Sequence, residues 1–525
     1  MFKFTEKYRI GVIAAPVILF TTLIIIGLFN QELFISTLWG IFAYVMNNFG
    51  FTLNIGCLIF VLFLLGICFH PVSKIRFGGK EAKPELTRWN YWAIALCAGI
   101  GTGIMFYGAV EPLMHTYSVP QGIVAVPGSD EAIMFAITRS FYHWSITPYA
   151  IYAIAGLAIS YAVYNMNKPF KVSSGLYPLL GERAMSPLVA GTVDALTLIA
   201  IVGGVSGALG AGIMQIGKGL QYTIGLQPSY TVWAVIAIVI IVSYTISSAS
   251  GLNKGIKWLS DKNAWIFIGL LLIVIAFGPT KYISDLTLQG FGKFVDEFIS
   301  ISTFTSPRNT DMWPQWWDMY FLADWLAFGP IVGLFLARIS YGRTIREFIL
   351  INLILPAGFG IIWFGAFGGF VLDLQLTGVF DAYTFLNTEG MESIMLKIFE
   401  FLPMAALLRP IIILTIALSF VTLADSMTSS VALMSLKDGT GVKEAPLSIK
   451  VFWGVFIGLT AYIFILNGGI DGTKVVMALS GFPILIIEFL MMTGIIYKLI
   501  YKSDYDKSEF EKENVLSCNE VEKVG

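Results

Sequence analysis

The chain has 525 residues, of which 56% are hydrophobic and only 13% charged, and its formal net charge is −1. A water-soluble domain carries about 25% charged residues, so this composition excludes a soluble enzyme and implies a polytopic membrane protein. No basic block is long enough to hold nucleic acid.

Apolar runs able to cross about 30 Å of hydrocarbon recur twelve times, centred near Leu19, Phe60, Gly101, Tyr152, Gly203, Ala237, Leu271, Gly329, Ile361, Ile416, Phe456 and Ile487. The first has a basic start but no small-residue cleavage site, so it is expected to be a retained helix. Twelve crossings put both termini on one side. Most of the 33 lysines and arginines, Arg76, Arg88, Lys168 and Arg183 among them, fall on that side. The termini are therefore expected in the cytoplasm, with the protein in the plasma membrane. On the outer side, Thr280 to Asp311 and Asp373 to Glu400 are long enough to include short interfacial helices. The tail from Tyr501 is polar and of mixed charge. The four cysteines, Cys57, Cys68, Cys97 and Cys518, have neither a disulfide framework nor a metal-ligand spacing. The three histidines, His70, His115 and His143, lie in different segments near helix ends, where histidine is more often an interface residue than a ligand. No metal site and no cofactor are expected from them.

Segment three reads CAGIGTGIMFYGAVEP, with Gly99, Gly101, Gly103 and Gly108 in about three turns. Segment eight has Gly329-Pro330 at its middle. Glycine weakens a helix and proline removes a backbone donor, so both segments are expected to open and offer carbonyls to a cavity. Interrupted helices at corresponding places in two halves point to a transporter binding site. In segment four, Trp144, Tyr149 and Tyr152 surround Pro148, whose kink lets the rings converge. In segment eight, Trp317, Phe321, Asp324 and Phe328 share one face at helical spacing, with Trp325 beside them. A carboxylate at mid-membrane costs about 2.5–3.5 kcal/mol on insertion scales, so Asp324 is expected to face a cavity or a partner. Aromatic faces around an anionic group suit an organic cation.

Four blocks, GIGTGIMFYGAVEP from Gly99, HWSITPYAIY from His143, GPIVGLFLARISYGRTIREF from Gly329 and SFVTLADS from Ser419, resemble the betaine/choline/carnitine transporter family. The resemblance implies an all-α, LeuT-like protein of twelve helices: two inverted five-helix repeats preceded by two extra helices, usually as a homotrimer. Residues 1–88 would hold the extra helices, 89–279 the first repeat, 280–315 an extracellular connection, 316–500 the second repeat and 501–525 a cytoplasmic tail. It also implies a quaternary ammonium substrate in an aromatic box. Carried over position by position, the box is Trp144, Tyr149, Tyr152 and Trp325, with the backbone at Gly101 and Gly103 against the substrate and Trp317, Phe321 and Phe328 on the access path. The family's tryptophan-rich run has the form FYWAWWxxW, where this chain has YFLADWLAF; Leu322, Asp324 and Phe328 stand where tryptophans are expected. The Asp324 carboxylate would compensate a missing ring but repel the acid end of a betaine, which favours choline or an unusual substrate geometry.

Sodium-coupled members supply hydroxyls on helix ten and some on helix five. Here Thr422 is present, but Leu423, Ile201 and Val205 offer no side-chain oxygen, so at least one sodium site is expected to be broken. The sodium-free exchangers carry a cationic side chain on helix seven; this chain has Asn263 there, preceded by Lys262. Three couplings stay open: exchange, proton linkage through Asp324, or one residual sodium site at Thr422. A sodium-independent carrier is expected, with a sodium-coupled symporter and a transporter-derived sensor as alternatives.

Overall fold

The computed structural model describes residues 7–99, 101–249, 255–308, 311–437 and 445–502. The expected opening around residue 100, the surroundings of Gly101 and the tail beyond residue 502 with Cys518 lie outside what the structure describes. The long helices are α1 (Ile10–Phe29), α2 (Gln31–Phe69), α3 (Arg88–Gly99), α4 (Gly101–Tyr117), α5 (Asp130–Trp144), α6 (Ile146–Met166), α7 (Pro187–Ile224), α8 (Tyr230–Ala249), α9 (Gly255–Phe277), α10 (Thr280–Asp296), α11 (Asp318–Ile339), α12 (Leu355–Leu376), α13 (Ala405–Met434), α14 (Leu447–Gly481) and α15 (Ile484–Ile495). Among the described residues there is no strand, only the isolated bridges Tyr8–Leu436 and Arg76–Thr344. The protein is an all-α polytopic membrane protein.

Among the described residues, eleven helical spans are long and apolar enough to cross a bilayer. The twelfth expected crossing, at Gly101, takes in α3, with 12 residues, and α4, with 17, on either side of residue 100, which lies outside the described residues. Both long connections expected on the outer side contain helices, α10 in the first and Ala382–Glu389 with Met391–Ile398 in the second.

Burial separates centre from rim. The apolar window of α11 is wholly buried, whereas those of α1 and α8 are 28% and 22% buried. With no water in hydrocarbon, side chains such as Ile18, Leu28, Ile238 and Val239 can face lipid at no cost, and these are exposed. The helix that carries Asp324 is thus the axis around which the others pack, with α6 against it and α14 bridging it to α7.

Three departures from helical geometry shape this centre. Segment four breaks at Ser145 (φ −117°, ψ −114°), three residues before Pro148. Proline has no N–H for the carbonyl four residues back, here Trp144, and its ring crowds that oxygen, so the chain leaves the helix just upstream. Segment eight breaks at Trp317 (φ −121°, ψ −76°), between the turn Trp313–Trp316 and α11. In α14 the chain bends at Gly469 (φ +56°, ψ −143°), a conformation that favours glycine. The expected opening at Gly329-Pro330 is not found: α11 runs unbroken from Asp318 to Ile339. Neighbouring helices surround this stretch completely, and packing of that kind tolerates an intrahelical proline. Gly329 serves contact instead, since a Cβ there would collide with the carboxyl of Glu488 on α15.

At the end of α11, Arg343 pairs with Glu347 at 2.5 Å and also donates to the carbonyl of Leu86, while Arg88 reaches Glu347 at 3.3 Å. Of the arginines at this exit, Arg343 is thus paired with an acid. Arg346 donates to the carbonyl of Cys68.

Candidate functional site

The Ser145 break turns Trp144, the last residue of α5, against α11. Its ring meets Trp325 edge-on at 4.9 Å and Phe321 at 5.2 Å, and stacks on Phe364 of α12 at 5.3 Å. Trp325 meets Tyr152 at 6.3 Å, and Tyr152 meets Tyr149 at 6.3 Å. Trp325 Nε1 donates to the His143 carbonyl at 2.9 Å, an oxygen at the end of α5 beside the break. The proline in α6 and the tryptophan in α11 therefore act on one another: the break frees an acceptor, and the acceptor fixes the ring. Tyr107 of α4 extends the cluster, 5.3 Å from both Trp144 and Phe321. All four expected box residues and Phe321 converge. Trp317 lies one turn out, edge-on to His115 at 4.4 Å. Phe328 lies against Gly204 of α7. Gly103 is not open to the box centre, because the Trp144 ring covers it so closely that a Cβ would clash. A glycine is required there for the approach of that ring.

Asp324 is not the only buried acid of the region. Glu111 Oε1 lies 2.5 Å from His143 Nδ1 and 3.3 Å from His115 Nε2, and Glu111 Oε2 accepts from Trp144 Nε1 at 2.5 Å. On its other side His143 Nε2 lies 2.8 Å from Asp318 Oδ1, and Asp318 Oδ2 accepts from Arg139 at 2.8 Å. The chain Trp144–Glu111–His143–Asp318–Arg139 is buried throughout and ties α4, α5 and α11 together. Two of the histidines that the sequence leaves in separate segments meet here. Ligand atoms of Glu111, His115 and His143 lie within 4.8 Å of one another, a spacing that would admit an ion. The His143 and Glu111 atoms are already engaged with each other, Trp144 and Asp318, so their evident work is to hold the Trp144 ring.

Asp324 is 5% exposed and its Oδ1 has no hydrogen-bond partner among the described residues. The charge that acts on it is Lys474 of α14. That ammonium lies over three rings, 5.0 Å from the centroid of Trp317, 5.5 Å from Tyr320 and 5.7 Å from Tyr107. Glu488 is wholly buried, and both its carboxyl oxygens lack a hydrogen-bond partner among the described residues. Lys474, Glu488 and Glu111 stand outside the sequence expectation. An ionisable residue within an apolar span is the signal that identifies the first two, since such residues face the bundle interior.

At the expected ion position, Thr422 donates its hydroxyl to Leu418 O of its own helix at 2.7 Å. Ile201 and Val205 are buried apolar residues with no oxygen to add. Asn263 of α9 is fully buried and donates to Ser419 of α13 at 2.9 Å, whereas Lys262 is half exposed and faces Asp261 at 3.6 Å. The lysine beside Asn263 therefore points away from this position.

A family model described as "BCCT, betaine/carnitine/choline family transporter" matches residues 11–504. The chain is 31% identical over 483 residues to a probable glycine betaine transporter of Desulfitobacterium hafniense, covering 91% of this chain and 95% of that one. It is 31% identical over 492 residues to the ectoine/hydroxyectoine transporter of Virgibacillus pantothenticus, covering 92% and 96%. To the high-affinity choline transport protein of Escherichia coli (strain K12) it is 30% identical over 521 residues, covering 97% and 75%.

Proposed function

The chain belongs to the betaine/carnitine/choline family of transporters, and from that membership we propose that it carries a quaternary ammonium or related organic cation of the choline, betaine or carnitine class across the plasma membrane by alternating access. It is a transporter, not an enzyme. The observation that carries the substrate reading is the convergence of Trp144, Tyr149, Tyr152, Trp325 and Phe321 beside the unpartnered oxygen of Asp324. Ring quadrupoles attract a methylated ammonium in a dry site, each contributing about 0.5–2 kcal/mol, and need no hydrogen bond from it. The two inverted repeats, 89–279 and 316–500, would rock about this site, with both termini cytoplasmic and the protein assembled as a homotrimer.

Coupling is sodium-independent in this reading, by exchange or through a proton. Its support is the engaged hydroxyl of Thr422 and the apolar side chains at Ile201 and Val205. A sodium-coupled betaine symporter is the alternative, with Thr422 and backbone carbonyls as ligands; a sensor that binds without transport is a third.

Counterflow of radiolabelled choline, glycine betaine and carnitine into proteoliposomes tests these readings together. At least one label is expected to accumulate equally with sodium and with potassium. Asp324→Asn is expected to weaken uptake of every label by about tenfold, the order of one charge–cation contact in a poorly hydrated site. Uptake that vanishes without sodium favours the symporter, and binding without counterflow favours the sensor. Unchanged transport in Asp324→Asn removes that carboxylate from the site.

A further inference from the structure

Glu488 of α15 lies in the middle of the apolar span Lys474–Tyr501 and is fully buried. Both its carboxyl oxygens lack a hydrogen-bond partner among the described residues, and no lysine, arginine or histidine there lies within 4.0 Å of them. Packing brings the carboxyl to α11: a Cβ at Gly329 would collide with its Oε1, and would stand 3.0 Å from Cγ2 of Ile151 on α6. The carboxyl therefore lies against bare α11 backbone, with α6 beside it. The same turn of α11 holds a second unmatched group. Pro330 has no N–H for the carbonyl four residues back, that of Leu326, and Leu326 shares the Gly329 side of the helix. An ionised carboxylate would bring that carbonyl another acceptor and no donor, in surroundings that penalise an unpaired charge most. A protonated carboxyl brings the O–H that the carbonyl lacks. Of the titratable groups on the helices packed against α15, the Cys57 thiol of α2 and the Tyr152 hydroxyl of α6 feel its charge. Among the described residues, no charge on α7, on α11 or in residues 172–180 acts on Glu488.

Building on the carrier reading above, we propose that Glu488 is a proton-binding site, protonated while α11 runs straight through Pro330 and ionised only when α11 opens there and admits water. A carrier must open to load and to release its substrate, and a glycine beside a proline is where a helix loses least by opening. Opening hydrates the Leu326 carbonyl and the carboxyl together, and the proton leaves to solvent. Closing returns one proton to a carboxyl oxygen, and no other covalent bond is made or broken. The aromatic site shares this movement. Trp325 stands one turn before Gly329 with Asp324 next to it, and Ile151 lies between Tyr149 and Tyr152. A bend of α11 at Pro330 therefore displaces rings of the box, so proton occupancy and cation occupancy bias the same helix. The Gly329-Pro330 pair is then one hinge with two protonation states, and the straight helix is the protonated one.

The test is counterflow of radiolabelled choline, glycine betaine and carnitine in proteoliposomes of the full-length protein at equal internal and external pH. The range runs from about pH 5 to about pH 9, the span between a hydrated and a fully buried carboxyl. The labels keep their charge over this range, so any dependence belongs to the protein. Because each closure takes up one proton, the parent rate is expected to fall towards high pH, by up to about tenfold per pH unit. Glu488→Gln keeps an N–H donor for the Leu326 carbonyl and cannot ionise, so it is expected to hold the parent's low-pH rate throughout. A parent rate that does not fall, or an equal fall in Glu488→Gln, overturns the inference. If Glu488→Gln is inactive at every pH, the parent itself decides through dicyclohexylcarbodiimide, an apolar reagent that adds to protonated carboxyls and is located by peptide mass. Modification of Glu488 that is faster at low pH is expected; none, or a rate independent of pH, overturns the proton site. A parent that moves no label at any pH overturns the proposed function instead, and the reagent still decides the state of Glu488.

Discussion

The hydroxyl of Tyr149 is buried and has no hydrogen-bond partner among the described residues, and in the proposed site it is the ring, not the hydroxyl, that meets the substrate. Leaving such a group unsatisfied costs about 1–3 kcal/mol. Tyr149→Phe is therefore expected to bind glycine betaine as the parent does, with an equal or higher melting temperature. Tyr149→Leu keeps the bulk and loses the π face, and is expected to bind about tenfold more weakly, the order of one desolvated cation–π contact. Fluorescence titration of both variants decides it: a Phe variant as weak as the Leu variant means that the hydroxyl, not the ring, meets the substrate. Trp144 is a different case. Its indole nitrogen is bonded to Glu111, so its ring position is set by a network that reaches Arg139, and its substitution would disturb more than one contact.

At the scale of one element, the break between α5 and α6 turns a local sequence signal into site geometry. Pro148 withholds a donor from the Trp144 carbonyl, the chain leaves helical dihedrals at Ser145, and the neighbouring His143 carbonyl accepts from Trp325. Pro148→Ala restores the donor that the Trp144 carbonyl lacks and lets the helix run on through Ser145. The variant is expected to melt at a higher temperature yet to bind substrate several-fold more weakly, the order of one lost hydrogen bond of about 1 kcal/mol. Affinity that rises together with stability argues against the coupling of the break to the Trp325 ring. The Gly329-Pro330 pair of α11 teaches the converse. The same residue types leave that helix intact, because it is enclosed on all sides and Gly329 is needed to admit Glu488.

Across the whole molecule, the connection that follows α2 is laced to the exit of α11. Phe77 and Arg343 are joined by a backbone hydrogen bond of 2.9 Å, Ile345 donates to Ile75 at 2.9 Å, and Arg343 sits between Glu347 and the Leu86 carbonyl. The Arg343 side chain is 4% exposed, so removing its acid leaves a nearly buried charge unmatched, at a cost of about 3 kcal/mol. Glu347→Ala is expected to lower the melting temperature in detergent, followed by circular dichroism, and an unchanged value means that the Leu86 carbonyl suffices. The same division between local and long-range contacts separates what was legible from what was not. Hydropathy, the helix breakers and the four motif blocks are properties of contiguous residues, and they were enough for the all-α membrane architecture, the family and the expectation that the rings of Trp144, Tyr149, Tyr152 and Trp325 lie near one another, with Phe321 expected on the access path rather than among them. Which charges face those rings was not legible. Lys474 stands 150 positions from Asp324, and Glu111, His143 and Asp318 come from three helices. No local pattern records such meetings: they arise only when amphipathic faces choose their neighbours, and in a medium without water each buried charge is decided by whatever the packing sets opposite it.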